Sequence, residues 1–248
     1  MVKEAFKEFS KPAPAVDAVI FRVVDGEVTN NRGVPRKSMQ VLLVREKGTN
    51  GLWHLPGTMI RLGETSFNAI DRIVKDKAHI NDIYFEQLYT VDNRPDRDER
   101  GHIISIVYMG IAKDNQDIVL DDNSKYESAW FWLNLGLATD KNGNRRMAMD
   151  IGDNVEPVVI SELEYDHSLI IEDAIERLNG KLMYTDIGFK FMQEQFTFKE
   201  LENTFCAILN TSNIPGFRRL LQDKVEPTGE KIDGKAFRPA ELFKQKKN

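Results

Sequence analysis

The chain has little of what secreted and membrane proteins need. It contains one cysteine, Cys206, so an intrachain disulfide is excluded. No segment approaches the roughly 20 apolar residues that a membrane-spanning helix requires, and the charged N-terminal residues lack the apolar run of a signal peptide. We therefore expect a soluble cytoplasmic protein with no membrane partner, in which Cys206 is a buried or half-buried thiol on a helix.

A strong excess of one charge is also missing from the C-terminal part. The formal charge is −5 over 248 residues, but residues 166–248 hold 13 basic and 13 acidic side chains. Within 213–248 the count is 9 basic against 5 acidic. A basic end on an acidic chain predicts that a polyanion is met there. The length and the 41% hydrophobic content allow two packed units.

The first unit, 1–165, has the pattern of a mixed α/β domain. Runs of β-branched and apolar residues predict strands at 15–24, 40–45, 84–90, 102–112 and 129–133. A polar loop is predicted over 26–37. The charged segment 92–101 predicts a solvated turn, with contact to a bound ligand as the alternative.

The segment 57–80 has the most specific spacing. Glu64 lies eight positions before Arg72, and the turn Leu55-Pro56-Gly57 precedes the loop that contains Glu64. This layout resembles the Nudix box, which is a Gly, five residues, Glu, seven residues, then Arg-Glu-apolar-any-Glu-Glu-any-Gly-apolar. The resemblance implies a Nudix-like, MutT-like fold with a structural ion pair between Glu64 and Arg72. An ordinary helix with Phe67, Ile70 and Val74 turned inward is the alternative.

The departures from the box concentrate on its metal ligands. Thr58 and His79 stand at the two glycines, and the three helical glutamates are replaced by Ile73, Asp76 and Lys77. In the family these carboxylates hold Mg²⁺ against a pyrophosphate. Their spacing of i, i+3 and i+4 places them on one helix face. Because hydrocarbon and ammonium groups cannot ligate Mg²⁺, we expect no efficient hydrolysis and no required cofactor.

Residual activity is the alternative, with Mg²⁺ needed only in that case. The remnant catalytic residues would be Glu64 and Asp76, with Glu127 as a carboxylate from another strand. Such an enzyme would be a Nudix hydrolase of nucleoside diphosphate derivatives.

A Nudix pocket that does not cleave can still bind its ligand. Lys77 is predicted to stand where Mg²⁺ would have been and to pair with a phosphate. Arg45 and Arg61 are predicted companions, and Trp53 is predicted to stack on a base. Each has an alternative: a solvated lysine, two surface arginines and a tryptophan that fills the core.

The second unit, 166–248, has a helical period. Ile171, Ala174, Ile175 and Leu178 predict a linker helix over 167–179 that ends near Gly180. Thr197 to Glu200 has the form of a capping box and opens a helix. Asn213 is predicted to cap a further helix with Phe217, Leu220 and Leu221 on its core side. Extended pieces at 225–232 and 236–243, joined through Asp233-Gly234, complete the pattern of a winged helix-turn-helix.

Basic residues follow this pattern. The predicted DNA contacts are Arg218, Arg219 and Lys224 on the last helix and Lys231, Lys235 and Arg238 on the wing. A helical appendage used for dimerisation, with solvated charges, is the alternative.

Three segments carry a closer resemblance: 175–185, 196–202 and 216–231. Together with the degenerate box they resemble the Nudix-related transcriptional regulators of the NrtR-like family, over roughly 15–243. The resemblance implies a homodimer that binds a palindromic double-stranded DNA operator. It also implies an effector that is an ADP-ribose-type nucleotide, in control of NAD metabolism, or a sugar phosphate. The helix start Asn213-Ile-Pro-Gly216 departs from the family, so its operator sequence is not carried over.

Overall fold

The computed structural model describes residues 11–29, 35–49, 51–92, 94–119, 121–139, 145–150, 158–159, 163–232 and 239–246. The strands of the first unit are β1 Ala13–Thr29, β2 Pro35–Glu46, β3 Gly57–Met59, β4 Tyr84–Val91, β5 Ile103–Ile111, β6 Tyr126–Thr139, β7 Arg145–Asp150 and β8 Val158–Val159. Its helix α1, Ser66–Ile73, continues into a π-helical turn, Val74–Ala78, which we call the π turn.

One eight-stranded sheet, in the order β4-β5-β1-β2-β6-β7-β8 with β3 paired to β1, forms the first unit. Strand β1 is parallel to β5 and antiparallel to β2 and β3. Successive side chains of β1 point to opposite faces: Ile20 packs with α1, whereas Val19 and Phe21 belong to a second cluster that continues into the C-terminal unit. The mixed α/β domain is therefore confirmed.

The predicted loop over 26–37 is wrong at both ends. Strand β1 runs on to Thr29 and β2 begins at Pro35, with Asp25 opposite Lys37 in the ladder. Local polarity suggested a loop, but pairing between the two strands satisfies their backbone groups. The resulting hairpin extends beyond the sheet, and helix α3 of the C-terminal unit packs against β2.

The C-terminal unit is a winged helix. It comprises α2 His167–Lys181, a 3₁₀ helix Ile187–Phe191, β9 Phe196–Thr197, α3 Phe198–Ile208, α4 Phe217–Leu221, β10 Val225–Ile232 and β11 Ala240–Gln245. The three strands form one sheet in the order β10-β11-β9. Thr197 and Glu200 make the predicted capping box, and Cys206 is half-buried as predicted.

Three local predictions in this unit are wrong. Gly180 lies inside α2, because the chain continues helically to the fully buried Leu182. Asn213 caps no helix, since α4 begins at Phe217 after Gly216, whose φ of 69° is left-handed. Leu220 is 52% exposed and faces away from the core. The predicted turn at 233–234 lies outside the described residues.

No helix among the described residues is both long enough and apolar enough to cross a membrane.

Candidate functional site

A cavity of about 440 Å³ opens beside the Nudix-box segment. Its walls come from β1, β3, the π turn, the 97–103 segment and residues 164–167, which lead into α2. The cavity therefore lies where the first unit meets the start of the linker helix.

Glu64 and Arg72 form the ion pair that the resemblance implied. Arg72 donates from Nε to Oε1 of Glu64 at 2.8 Å and from Nη2 to Oε2 at 2.9 Å. The hydrogen bonds from Arg72, together with one from the backbone N–H of Arg61, lower the pKa of Glu64 to about 2. Arg72 also donates to the hydroxyl of Thr58. Glu64 therefore fixes the loop conformation, and its carboxylate is poorly suited to accept a proton.

The three positions of the metal ligands do not share one face. Ile73 is 1% exposed and packs in the core, whereas Asp76 is exposed to solvent and Lys77 lines the cavity. The expectation of a common face assumed an α-helical repeat, but the π turn widens the helix from Val74 onward and rotates the later side chains. His79 ends this turn with a left-handed φ of 55°, which explains why the family prefers glycine there.

Lys77 contributes the ammonium group of the cavity. Its Nζ donates to the carbonyl oxygen of Gly57 at 2.8 Å and lies 4.3 Å from the ring centroid of Tyr126. Burial lowers the pKa of Lys77. The half-buried side chain is thus held by neutral groups at the wall of the cavity.

A buried polar cluster lies behind the cavity and was missed by the sequence analysis. The hydroxyl of Ser105 donates to Asp17, and the backbone N–H of Leu55 donates to Nδ1 of His167 at 2.9 Å. Because Nδ1 accepts this bond, His167 is neutral, and burial lowers its pKa to about 4. Nε2 of His167 lies 3.8 Å from Asp17. The available signal was a polar residue inside each of two apolar strands.

The charged loop reaches the cavity, so the prediction of a solvated turn is wrong for Arg97. Arg97 donates from Nε to Oδ2 of Asp166 at 2.9 Å and from Nη2 to Oδ1 at 2.7 Å, with side-chain exposures of 4% and 9%. Arg100 pairs with Asp98 and lies over the ring of Tyr165. Since Asp166 is the N-cap residue of α2, the cavity wall and the linker helix share a buried ion pair.

The other predicted effector residues lie outside this cavity. Arg45 donates to Glu127 and covers Trp53, whose ring meets Phe131 edge-on at 4.9 Å. Arg61 is exposed, and its backbone N–H is bonded to Glu64. Of the four predicted effector residues, Lys77 alone is among the described residues that line the cavity. Glu127, the carboxylate of the hydrolase alternative, is engaged by Arg45.

The residues do not fit a catalytic Mg²⁺. Within the described ranges no three His, Cys, Asp or Glu side chains are grouped so that they could hold a metal ion. Ile73 is in the core and Lys77 is a cation, so neither supplies an oxygen ligand.

The predicted DNA contacts divide into exposed and engaged residues. Arg218 and Arg219 are exposed on α4, and Arg218 lies 5.0 Å from the ring centroid of Phe198. Lys231 is exposed on β10. Lys224 instead donates to the carbonyl of Thr185 and to Asp186, both at 3.1 Å, and so ties α4 to the segment after α2. Lys235 and Arg238 lie outside the described residues.

Two family models match the chain. The NUDIX domain model matches residues 17–150, and the NrtR DNA-binding winged helix domain model matches residues 188–245. The two matches fall on the two units that the structure separates at the linker helix.

Relatives share both units. The chain is 26% identical over 245 residues to the ADPR responsive transcriptional repressor NtrR of Acinetobacter baylyi, covering 96% of this chain and 83% of that protein. It is similar to the crystal structure of Shewanella oneidensis NrtR complexed with a 27mer DNA, with a TM-score of 0.61, 25% identity and coverage of 94% and 93%. It is also 27% identical over 177 residues to the ADP-ribose pyrophosphatase of Methanocaldococcus jannaschii, covering 71% of this chain and 80% of that protein.

Proposed function

Because the chain belongs to the Nudix family and continues into an NrtR-type winged helix domain, we propose that it is a DNA-binding transcriptional repressor that responds to ADP-ribose or a related nucleotide. The observation that carries the proposal is the buried Arg97–Asp166 ion pair, which joins the wall of the cavity to the first turn of α2. Control of NAD or sugar metabolism genes is the setting that the family resemblance favours.

The cavity has the size and charge for such an effector. A volume of about 440 Å³ lies within the usual range of small-molecule sites. Lys77, Arg97 and Arg100 place positive charge along its walls. The similarity to an ADPR responsive repressor over nearly the whole chain supports the choice of ligand class.

Occupancy of the cavity reaches the DNA-binding unit through the start of α2. The backbone N–H of Leu55 is bonded to His167, and the N–H of Glu164 donates to the carbonyl of Trp53 at 3.0 Å. A ligand that shifts Arg97 or this backbone prefers one position of α2, and such a preference is all that allosteric coupling requires.

DNA binding itself is assigned to α4 and the wing. In a winged helix the second helix of the helix-turn-helix enters the major groove, and α4 presents Arg218 and Arg219 to solvent. Similarity to a protein that was crystallised with a 27mer DNA supports this assignment. We propose that the protein acts as a homodimer at a palindromic operator in the cytoplasm, where bacterial-type regulators meet DNA.

The test uses a duplex that the protein itself selects from a random-sequence pool. We expect tight, salt-dependent binding, and an affinity that differs by at least about fivefold when ADP-ribose is present. Equal affinities with and without ADP-ribose would remove the effector from the proposal, and binding that ignores salt would remove the DNA function.

Hydrolysis of ADP-ribose is the second candidate, favoured by the similarity to an ADP-ribose pyrophosphatase. Incubation with Mg²⁺ and ADP-ribose should yield AMP if this candidate is right. The engaged Glu64 and the buried Ile73 argue for no turnover. A sugar phosphate effector is separated by thermal shift, since a ligand specific to the native state raises its stability.

A further inference from the structure

Lys77 differs from the other cations of the cavity. Arg97 and Arg100 are each neutralised by a carboxylate, Asp166 and Asp98 respectively. In the described part of the chain, the contacts of Lys77 Nζ are instead a carbonyl oxygen and an aromatic ring. Its positive charge is therefore the one most open to an anionic ligand among these three.

The ammonium is held in place from behind. Gly57 is in register with Asp17, and a side chain at Gly57 would come within 2.2 Å of Oδ1 of Asp17, so the backbone here is tightly packed. The carbonyl of Gly57 accepts one of the three hydrogens of Lys77. Two hydrogens remain for oxygens of a ligand in the cavity.

The same side chain stands at a position where the Nudix box would have a metal-binding glutamate. At that position the chain supplies a cation rather than a ligand for one, and Ile73 has turned into the core. The protein thus has positive charge of its own at a site from which the carboxylate ligands are missing.

We propose that Lys77 takes the place of the divalent cation, so that this chain binds the pyrophosphate group of its effector without Mg²⁺. The inference rests on the proposed function and adds how the ligand is held. An ammonium binds phosphate as a compact point charge. It does not generate a hydroxide nucleophile from bound water as a metal ion does, so the bound ligand stays intact.

Calorimetric titration of the full chain with ADP-ribose tests this, once in buffer with EDTA and once with MgCl₂. We expect the same dissociation constant in both buffers. Lys77→Met, which keeps the length of the side chain and removes its charge, should weaken binding about ten- to hundredfold in EDTA, the equivalent of one charge-assisted hydrogen bond. Lys75→Met is the matched control, because Lys75 lies exposed on the same π turn and pairs with Asp71. This control should bind ADP-ribose like the wild type.

The outcomes separate the inference from the proposed function. Binding by the wild type only with MgCl₂ overturns the inference and leaves the effector assignment standing. An unchanged affinity of Lys77→Met also overturns it. Absence of ADP-ribose binding in both buffers overturns the effector assignment, and the inference falls with it. Thermal unfolding of Lys77→Met shows whether it is folded, and the wild-type comparison does not depend on that variant.

Discussion

At the scale of single residues, His167 ties the cavity to the linker helix through a neutral ring. The backbone N–H of Leu55 donates to Nδ1, and the ring is buried against Asp17. Burial lowers the pKa of His167 to about 4 from 6.5. The folded protein therefore holds the unprotonated imidazole over a pH range in which the unfolded chain would bind a proton.

This difference predicts a pH dependence of stability. Because the unfolded state binds more protons, the contribution of His167 is full above pH 6.5 and is lost as the pH falls toward 4, by up to about 3 kcal/mol. His167→Asn keeps an acceptor for Leu55 and removes the titration. We expect its unfolding midpoint to fall less between pH 7 and 4 than that of the wild type.

The control for this experiment is His102→Asn, because His102 is exposed. It should follow the wild-type curve. Parallel curves for wild type and His167→Asn would show that His167 titrates normally in the folded state.

Single residues also show how far sequence reasoning reached into the site. The Glu64–Arg72 pair and the position of Lys77 in the cavity followed from a fixed local spacing. Asp17 and its partner Ser105 are 88 positions apart, and no local pattern joins them. Trp53 was predicted to stack on a ligand, but an exposed and a packed tryptophan have the same local sequence signal.

At the scale of elements, the π turn decides which of the box positions face the cavity. It follows α1 directly and takes Ile73 into the core while Lys77 reaches the cavity wall. Restoring a glutamate at 73 would therefore not restore a metal ligand.

Ile73→Glu tests this rotation. A carboxylate at a position that is 1% exposed is buried among apolar groups, so we expect the unfolding free energy to fall by about 3 kcal/mol or more. We also expect no gain of Mg²⁺-dependent release of AMP from ADP-ribose. Asn68→Glu, on the exposed side of α1, is the control and should change stability little. A stable Ile73→Glu that gains activity would place residue 73 in the cavity.

Element boundaries were predicted where side-chain periodicity was strong and missed where pairing or packing overrode it. The capping box at Thr197 is confirmed because its hydrogen bonds are local. Asn213 has the right side chain for a cap, yet the left-handed Gly216 delays the helix. The strand extensions at 26–29 and 35–37 depend on each other, so neither was visible alone.

Helix α4 gives a prediction on DNA binding. Arg219 is exposed, and if its guanidinium neutralises one phosphate, Arg219→Ala should reduce the slope of log affinity against log salt by about 1. Lys224→Met is the comparison, because Lys224 is bonded to Thr185 and Asp186. It should lower the thermal stability and leave the salt slope unchanged. Equal salt slopes for wild type and Arg219→Ala would exclude Arg219 from the residues that bind phosphate.

At the scale of the whole molecule, two units share one helix whose first turn is part of the cavity wall. The Arg97–Asp166 pair is buried on both sides, with side-chain exposures of 4% and 9%. The two-unit organisation could be predicted from the change of period near 165. The pair could not, since Arg97 lies in a loop whose composition is typical of solvated turns.

Removing one partner of this pair tests the coupling. Arg97→Met leaves a buried carboxylate, so we expect the unfolding free energy to fall by about 3 kcal/mol. The double variant Arg97→Met/Asp166→Asn should be destabilised by less than the sum of the two single variants. It should still bind DNA, but with an affinity that ADP-ribose no longer changes.

The matched control is the pair Lys181–Glu86, which joins the other end of α2 to β4. Lys181→Met/Glu86→Gln should keep the response to ADP-ribose. If the double variant at Arg97 and Asp166 also responds like the wild type, the coupling runs through other residues.

The most direct test of the account is the anisotropy of a labelled duplex, selected from a random pool, titrated with the protein in EDTA. The account predicts that ADP-ribose changes the affinity by at least about fivefold and that replacing EDTA with MgCl₂ leaves this change as it was. An affinity that ADP-ribose does not alter, or alters only with Mg²⁺, would contradict it.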